Sequence, residues 1–372
     1  MKEGWMFKKL GEVCDVMDSK RKPITKSERQ GGDIPYYGAT GVLDYVKDYI
    51  FDGRFLLVGE DGAKWGKDDE TAYIIEGKSW VNNHVHVLKI HDDVLDIFVK
   101  YYLNAKDLNS YITGAVVPKL TQAALVSIPI LLPPLSTQTH IVSELDLLQS
   151  IIRNEKEQLK ELDNFAQAIF YDMFGDPVTN DKGWEVKTFG DIGTLQRGSG
   201  LSKKDLVDEG HPCILYGQIH TRFGAFTKKH ISCIPESLVS TTKTAHCGDV
   251  IMAITSEDVE GSCKSTVWLG DYDIAVGSDT AILHHSQNGI YISYYTQTKA
   301  FYEEKAKYAH GFKVTHISTK EIASIPIMLP PLSIQQSFAT KIENIEKQKV
   351  SICESIEETQ KLFDYTLNKY FG

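Results

Sequence analysis

Residue types able to do chemistry are plentiful in this 372-residue chain, but their spacings do not match the constellations that catalysis needs. The stretch RGSGLSKK, Arg197 to Lys204, is glycine-rich and basic. It lacks the spacing of a phosphate-cradling loop and occurs once, so it reads as a turn with cations suited to a phosphate backbone. His230-x-x-Cys233 and the adjacent pair His246-Cys247 are zinc-ligand types without the paired CxxC spacing of a zinc site. His84 and His86 alternate, which on a strand places them on one face as a half-buried pair. HExxH, GxSxG and an Asn-Pro-Pro-aromatic motif are absent. The chain is therefore expected to have no catalytic residue, no cofactor and no metal, and not to be an enzyme.

The elements that would position any site are written twice. SIPILLPPLSTQ (Ser127 to Gln138) returns as SIPIMLPPLSIQ (Ser324 to Gln335) with ten of twelve positions identical. Each copy has an alternating apolar run, a double proline that can neither join a ladder nor continue a helix, and then Ser136 or Ser333. This predicts a strand, a rigid elbow and a serine-capped helix. After the first elbow, Ile141, Leu145, Leu148, Ile152, Leu159, Leu162, Ala166, Ile169 and Met173 form a heptad seam broken by Glu155. At an offset of 197 the second seam runs from Phe338 through Ile342, Ile345, Lys349, Ile352, Ile356, Thr359, Phe363 and Thr366 to Tyr370, and both copies close on Phe-Gly. Pairing of the two stripes as an antiparallel coiled coil is the simplest way to bury them, and such a pair would set a distance between two globular parts. The polar seam positions suit register-fixing or snorkelling equally.

Between these frames each copy reads as short strands with glycine turns (Phe55 to Gly59, Val81 to Ile90, Asp249 to Thr255, Asp273 to Leu283) and one helix, near Val94 to Ala105 and Ile290 to Ala300. The fold class expected is α+β: two mixed domains at 1–135 and 175–332, with spacer helices at 136–174 and 333–372. From Gly38 to Glu60 is 22 positions, whereas from Gly217 to Glu257 is 40. Unlike inserts on one frame suit the reading of two versions of one kind of target, and equally suit drift after duplication.

The net charge of −10 gives no support for nucleic acid, but half of the excess falls on the two helical segments, leaving the globular parts near balance. Six cysteines without framework spacing suggest free thiols in a reducing compartment, and the charged start MKEGWMFKKLGE is no signal peptide, so a cytoplasmic address is expected.

The doubled elbow and helix, the W-x-x-K-x-LGE opening at Trp5 and the NNHVHVL stretch at Asn82 to Leu88 together resemble the specificity (S) subunits of type I restriction-modification systems, over essentially the whole chain. The resemblance implies two target recognition domains, each reading half of a bipartite double-stranded DNA sequence. It also implies helices that set the gap and bind two adenine methyltransferase subunits, a motor-nuclease restriction subunit that can join, and no catalytic site. Two alternatives stay open: a specificity subunit whose methyltransferase and nuclease partner is one fused chain, and a two-headed adaptor for protein or glycan with a coiled-coil spacer.

On the DNA reading, the clusters singled out in the first domain are Lys20, Arg21, Lys22, Lys26 and Arg29 around Pro23, Lys64 and Trp65 in GEDGAKWGK, and Asn82 and Asn83. In the second they are Arg197, Lys203, Lys204, Gln218, His220, Arg222, Lys228, Lys229, Ser256 and Lys264. Lysine and arginine on loops would hold phosphates, while Asn82, Asn83, Gln218 and Arg222 have donor and acceptor geometry for base edges.

Overall fold

A computed structural model describes residues 4–309 and 314–372. The chain divides into two compact units, one made of 1–157 with 353–372 and the other of 158–352. The division cuts each long helix in its middle, not at its elbow. Each unit therefore contains one globular part, the start of the helix that follows it and the end of the helix belonging to the other copy. Among the described residues no helix is long and apolar enough to cross a membrane.

The elbows fold as the prolines dictate. Pro129–Leu132 pairs antiparallel with Met6–Lys9, and Pro326–Leu329 pairs with Glu185–Thr188 in the same register. The helices that follow span Leu135–Phe174 and Leu332–Phe371, forty residues each. Both begin one residue before the expected caps, so Ser136 and Ser333 lie inside the first turn. The amide groups of Thr137 and Gln138 donate to the Pro134 carbonyl. The side chain that secures each elbow is instead a buried glutamine. Gln138 Nε2 donates to the Pro133 carbonyl at 3.0 Å while its Oε1 accepts from the Leu95 amide at 2.9 Å. Gln335 repeats this with the Pro330 carbonyl and the Asn288 amide, at 2.8 and 3.0 Å. Leu95 and Asn288 cap the domain helices Asp96–Asn104 and Gly289–Tyr295, so one amide side chain locks elbow to domain in each copy. Gly175 takes the left-handed conformation (φ +76°) that ends the first long helix, and a Cβ there would lie 2.1 Å from Asp181 Oδ1.

In the first unit a six-stranded sheet runs in the order Cys14–Val16, Val85–Ile90, Phe51–Gly59, Ala72–Val81, Ile34–Gly38, Gly41–Val46. All its pairs are antiparallel except that between Ile34–Gly38 and Ala72–Val81. The strand expected over Val81 to Ile90 is broken at Asn82–His84, where the chain turns. His84 therefore stands ahead of the strand and does not share a face with His86. Leu56, Leu88, Phe98 and Leu103 form a core with Ile141 and Leu145 of the first helix and Phe363, Leu367 and Phe371 of the second. Tyr370 donates to Glu144 at 2.7 Å and Ser355 to Glu155 at 2.5 Å, so the helices run antiparallel here.

The second unit uses its longer insert to build a four-stranded sheet (Ser232–Ile234, His211–Ile214, Ile274–Val276, Lys243–Ala245) beside a five-stranded one (Gly193–Arg197, Thr280–His285, Val250–Ala253, Lys264–Trp268, Phe226–Thr227). The expected helix near Ile290 to Ala300 resolves into two, Gly289–Tyr295 and Lys299–Ala306. Phe170 and Phe174 pack with Tyr291 and Phe338, centroids 4.7 to 5.8 Å apart. The buried stripe thus widens beyond the predicted Ile169 and Met173, because the helix end faces both its partner helix and the domain core. Lys349 meets Asp163 at 2.8 Å and Glu346 at 2.9 Å. Burial disfavours the Lys349 ammonium, but these carboxylates outweigh it and raise its pKa. The breaks at Glu155 and Lys349 are thus both bonded across the helix pair.

Candidate nucleic-acid interface

In the first unit the sequence-selected residues converge on Arg21. It follows the turn Asp18–Lys20, and its guanidinium bonds Glu60, Asp18 at 3.1 Å and the Val85 carbonyl at 2.9 Å, reaching the Asn83 carbonyl at 3.4 Å. Glu60 also meets Lys119 at 2.7 Å. His86, fully buried, is held at Nδ1 by Asp18 (2.5 Å) and at Nε2 by the Leu120 carbonyl (2.7 Å). Burial alone would raise the Glu60 pKa, but Lys119, Arg21 and His86 hold it below its ordinary value. Asp18, Glu60 and His86 form the one group of metal-ligand types close enough to share an ion among the described residues. With a guanidinium and an ammonium already on the two carboxylates, the group is an ion-pair network. It joins the segment before Pro23, the turn after the central strand, the Asn82–His84 turn and the hairpin at Lys119.

Lys20, Lys22, Lys26, Lys64 and Asn83 are exposed around this hub. Arg29 is half-buried, bonded to Asp44 at 3.1 Å and lying 4.4 Å from the Tyr36 ring centroid. Trp65 and Asn82 must be corrected as surface candidates. The Trp65 indole is 7 % exposed and donates to the Gly59 carbonyl at 3.0 Å, so it is a core side chain. Asn82, also buried, spends its carbonyl oxygen on the His84 amide at 2.8 Å, shaping the turn. Arg21, mostly consumed by the network, organises the surface and offers little of itself to a phosphate.

The second unit gathers its candidates around Thr255. His220 Nε2 contacts the Thr255 carbonyl at 3.2 Å, and Lys264 Nζ donates to the His220 carbonyl at 3.0 Å. Arg197 meets Asp279 at 3.5 Å, and Thr255 Oγ1 donates to the same carboxylate at 3.4 Å. His220, Ser256 and Lys264 line an open cleft of about 1410 Å³ with Tyr216 and Tyr302 on its walls. Gln218 is turned inward, accepting from the Leu215 amide at 2.9 Å and donating to Ser232 at 2.5 Å, so its base-reading geometry is already used. Arg222 is exposed just beyond the short helix Tyr216–Thr221. Lys203 and Lys204 are exposed on a turn capped by Ser202. Lys228 and Lys229 are exposed after the edge strand Phe226–Thr227, and nothing described joins them to the Thr255 group.

His86 is the bonded, buried histidine that its place in an apolar strand predicts, although without His84 beside it, whereas Asp18, Glu60 and Lys119 have no local signal in the sequence. The zinc-type pairs are otherwise engaged, His230 with Tyr272 at 2.5 Å and His246 with Asp273 at 2.8 Å. The Asp273 carboxylate raises the pKa of His246. All six cysteines are free thiols. Burial pushes Cys14 and Cys263 up to about 12, far from the thiolate form.

Each of the two α/β units carries exposed cations beside internally bonded polar residues. The family model for the type I restriction modification DNA specificity domain matches residues 2–164 and again 181–360, and the chain belongs to that family. A type I restriction enzyme specificity subunit of Haemophilus influenzae is 28 % identical over 373 residues, covering 96 % of this chain and 93 % of its own. The MjaVIII specificity subunit of Methanocaldococcus jannaschii is 22 % identical, covering 92 % and 86 %. Among solved structures, the type I S subunit of M. genitalium superposes with a TM-score of 0.61 at 13 % identity, covering 99 % of this chain and 96 % of its own. A chain from a study of complex assembly and conformational transition in a type I restriction-modification system gives 0.56 at 18 %, covering 100 % and 98 %. Both likenesses concern the fold, and they agree with the doubled α/β architecture.

Proposed function

We propose that the chain is the non-catalytic subunit that reads a bipartite double-stranded DNA target, one half per unit, and brings two adenine methyltransferase subunits and a motor-nuclease restriction subunit to it in the cytoplasm. The observation that carries this reading is the family match to both copies of the repeat, each of which has its own core and its own group of exposed cations. Phosphate contacts would fall to Lys20, Lys22, Lys26 and Lys64 in the first unit and to Arg197, Lys203, Lys204, Lys228, Lys229 and Lys264 in the second. Asn83, His220, Arg222 and Ser256 remain as base-edge candidates, because Asn82 and Gln218 are bonded internally. Each long helix, about 60 Å at ~1.5 Å per residue, would supply the gap between half-sites. An acidic chain that relies on partner subunits for much of its phosphate neutralisation should bind DNA weakly alone.

The test is co-expression with an adenine methyltransferase subunit, purification of the assembly and mapping of methylated adenines in host DNA. Methylation at a two-part sequence that requires this chain is the expected result. Turnover by the isolated chain with S-adenosylmethionine or ATP, or methylation indifferent to its presence, would refute the proposal.

A further inference from the structure

The most conspicuous unexplained surface is a hairpin tip in the first unit. Ile112–Thr113 pairs with Lys119–Leu120, and the five residues between them, Gly114-Ala115-Val116-Val117-Pro118, are all exposed. Val116 is 93 % exposed and Val117 62 %. Four consecutive apolar residues in solvent oppose the hydrophobic effect and call for an occupant. The tip is also stiff. Gly114 has φ +95°, and a Cβ there would come within 2.3 Å of the Val117 carbonyl oxygen, so the turn is close-wound. Pro118 fixes its other end, and valine side chains have little rotamer freedom to lose.

The base of the hairpin is bolted to the ion-pair network. The Lys119 backbone pairs with that of Asp61 in an isolated antiparallel β-bridge, its side chain meets Glu60 at 2.7 Å, the Leu120 amide donates to the Glu60 carbonyl at 2.8 Å, and the Leu120 carbonyl meets His86. On the three segments that meet there, 18–22, 59–64 and 83–86, Asp18 and Glu60 are turned into ion pairs and Asp61 is hydrogen-bonded to His84 at 2.5 Å. The exposed formal charges on those segments are Lys20, Lys22 and Lys64. In the second copy the segment matching Lys119–Leu120 sits against the equivalent turn. Thr315–His316 pairs with Thr255–Ser256, the Ile317 amide donates to the Ile254 carbonyl at 3.1 Å, and Val314, which matches Val117 at the offset of 197, is 51 % exposed.

We propose that the Val116-Val117 tip is an apolar wedge that enters a DNA groove and presses between neighbouring base pairs, with Lys20, Lys22 and Lys64 on the flanking phosphates. This rests on the DNA-reading function proposed above and adds a means of deforming the duplex. Charge complementarity selects the occupant: a narrow aliphatic point with exposed lysines on the segments that meet its base fits a groove walled by phosphates, where aliphatic side chains unstack base steps. The deformation is useful here because a base can be modified only after it leaves the stack.

The experiment uses the assembled complex with its methyltransferase subunits and the double variant Val116→Ser/Val117→Ser, which alters only solvent-exposed side chains. Affinity is measured on a duplex carrying the methylated target, and on the same duplex with single mismatches walked through the half-site to loosen one step at a time. Expected is a loss of about tenfold or more on the intact duplex, recovery on one loosened duplex, and an unchanged salt dependence, since no phosphate contact is lost. The conservative Val116→Ile/Val117→Ile variant should retain wild-type binding. Wild-type affinity of the serine variant on the intact duplex would overturn the proposal, as would equal weakness on every duplex, which would mean contact without wedging. Failure of the serine variant to assemble would overturn it in favour of a protein-docking tip. A wild-type complex that prefers no DNA sequence would instead remove the functional reading beneath it.

Discussion

Replacing Glu60 by Gln removes one negative charge from the network that braces the first unit's candidate interface while keeping the side chain's shape. Glu60 is 6 % exposed and faces Arg21 and Lys119, with His86 Nδ1 at 3.7 Å. Breaking a buried ion pair costs about 3–5 kcal/mol when a charge is left unpaired. Arg21 keeps Asp18, and the Lys119 side chain is 41 % exposed and can rehydrate, so the expected cost is lower, about 2–3 kcal/mol. For a unit of this size each kcal/mol lowers Tm by roughly 2–4 °C, giving a drop of roughly 4–12 °C. The pH dependence has a definite sign. The folded-state pKa of Glu60 lies below its ordinary 4.5, so its contribution is fully present above that value and is lost as pH falls through the lowered folded value. Differential scanning calorimetry at pH 7 and through the acid range should show a wide gap between wild type and Glu60→Gln that narrows in acid. Equal melting at pH 7, or a gap that persists once the carboxyl is protonated, would refute the assignment of Glu60 as a charged brace.

Substituting Lys20, Lys22 and Lys26 together by Ala should weaken DNA binding of the assembled complex on all sequences and reduce the log–log salt slope by up to about 3; an unchanged slope would show that this edge does not face DNA. Phe174→Ala, at a fully buried position packed on Phe170, Tyr291 and Phe338, should cost about 3–5 kcal/mol in the second unit's unfolding transition; a loss under 1 kcal/mol would mean that the helix end is not part of that core. Exchanging residues 176–326 for the same region of another family member should change one half-site in a methylation map and leave the other intact, whereas a change in both would contradict independent reading.

What was legible in the sequence was local or repeated. Prolines at 133, 134, 330 and 331 stop a strand and start a helix wherever they stand, because a missing amide and a fixed φ act on their own backbone. A heptad stripe announces its helix without reference to a partner, and duplication announces itself by identity at a constant offset. Local spacing is silent where a side chain's role depends on residues far along the chain. Trp65 stood in a charged turn and read as surface, yet it is core because the Gly59 carbonyl lies in reach of its indole. Arg21 read as a phosphate ligand until folding brought Glu60 and Val85 to it from 39 and 64 residues away. Ser136 matched a cap pattern, but Pro134 already supplied the first carbonyl, and Gln138 was free to reach Leu95. Short-range sterics and periodicity encode the doubling, the elbows and the long helices, so these could be read from the residues alone. Folding adds that each unit takes its last helical turns from the other copy, and that buried charge, not exposed chemistry, organises the surface around Arg21. Those outcomes depend on long-range packing and on the cost of leaving a buried charge unpaired, which no local spacing records.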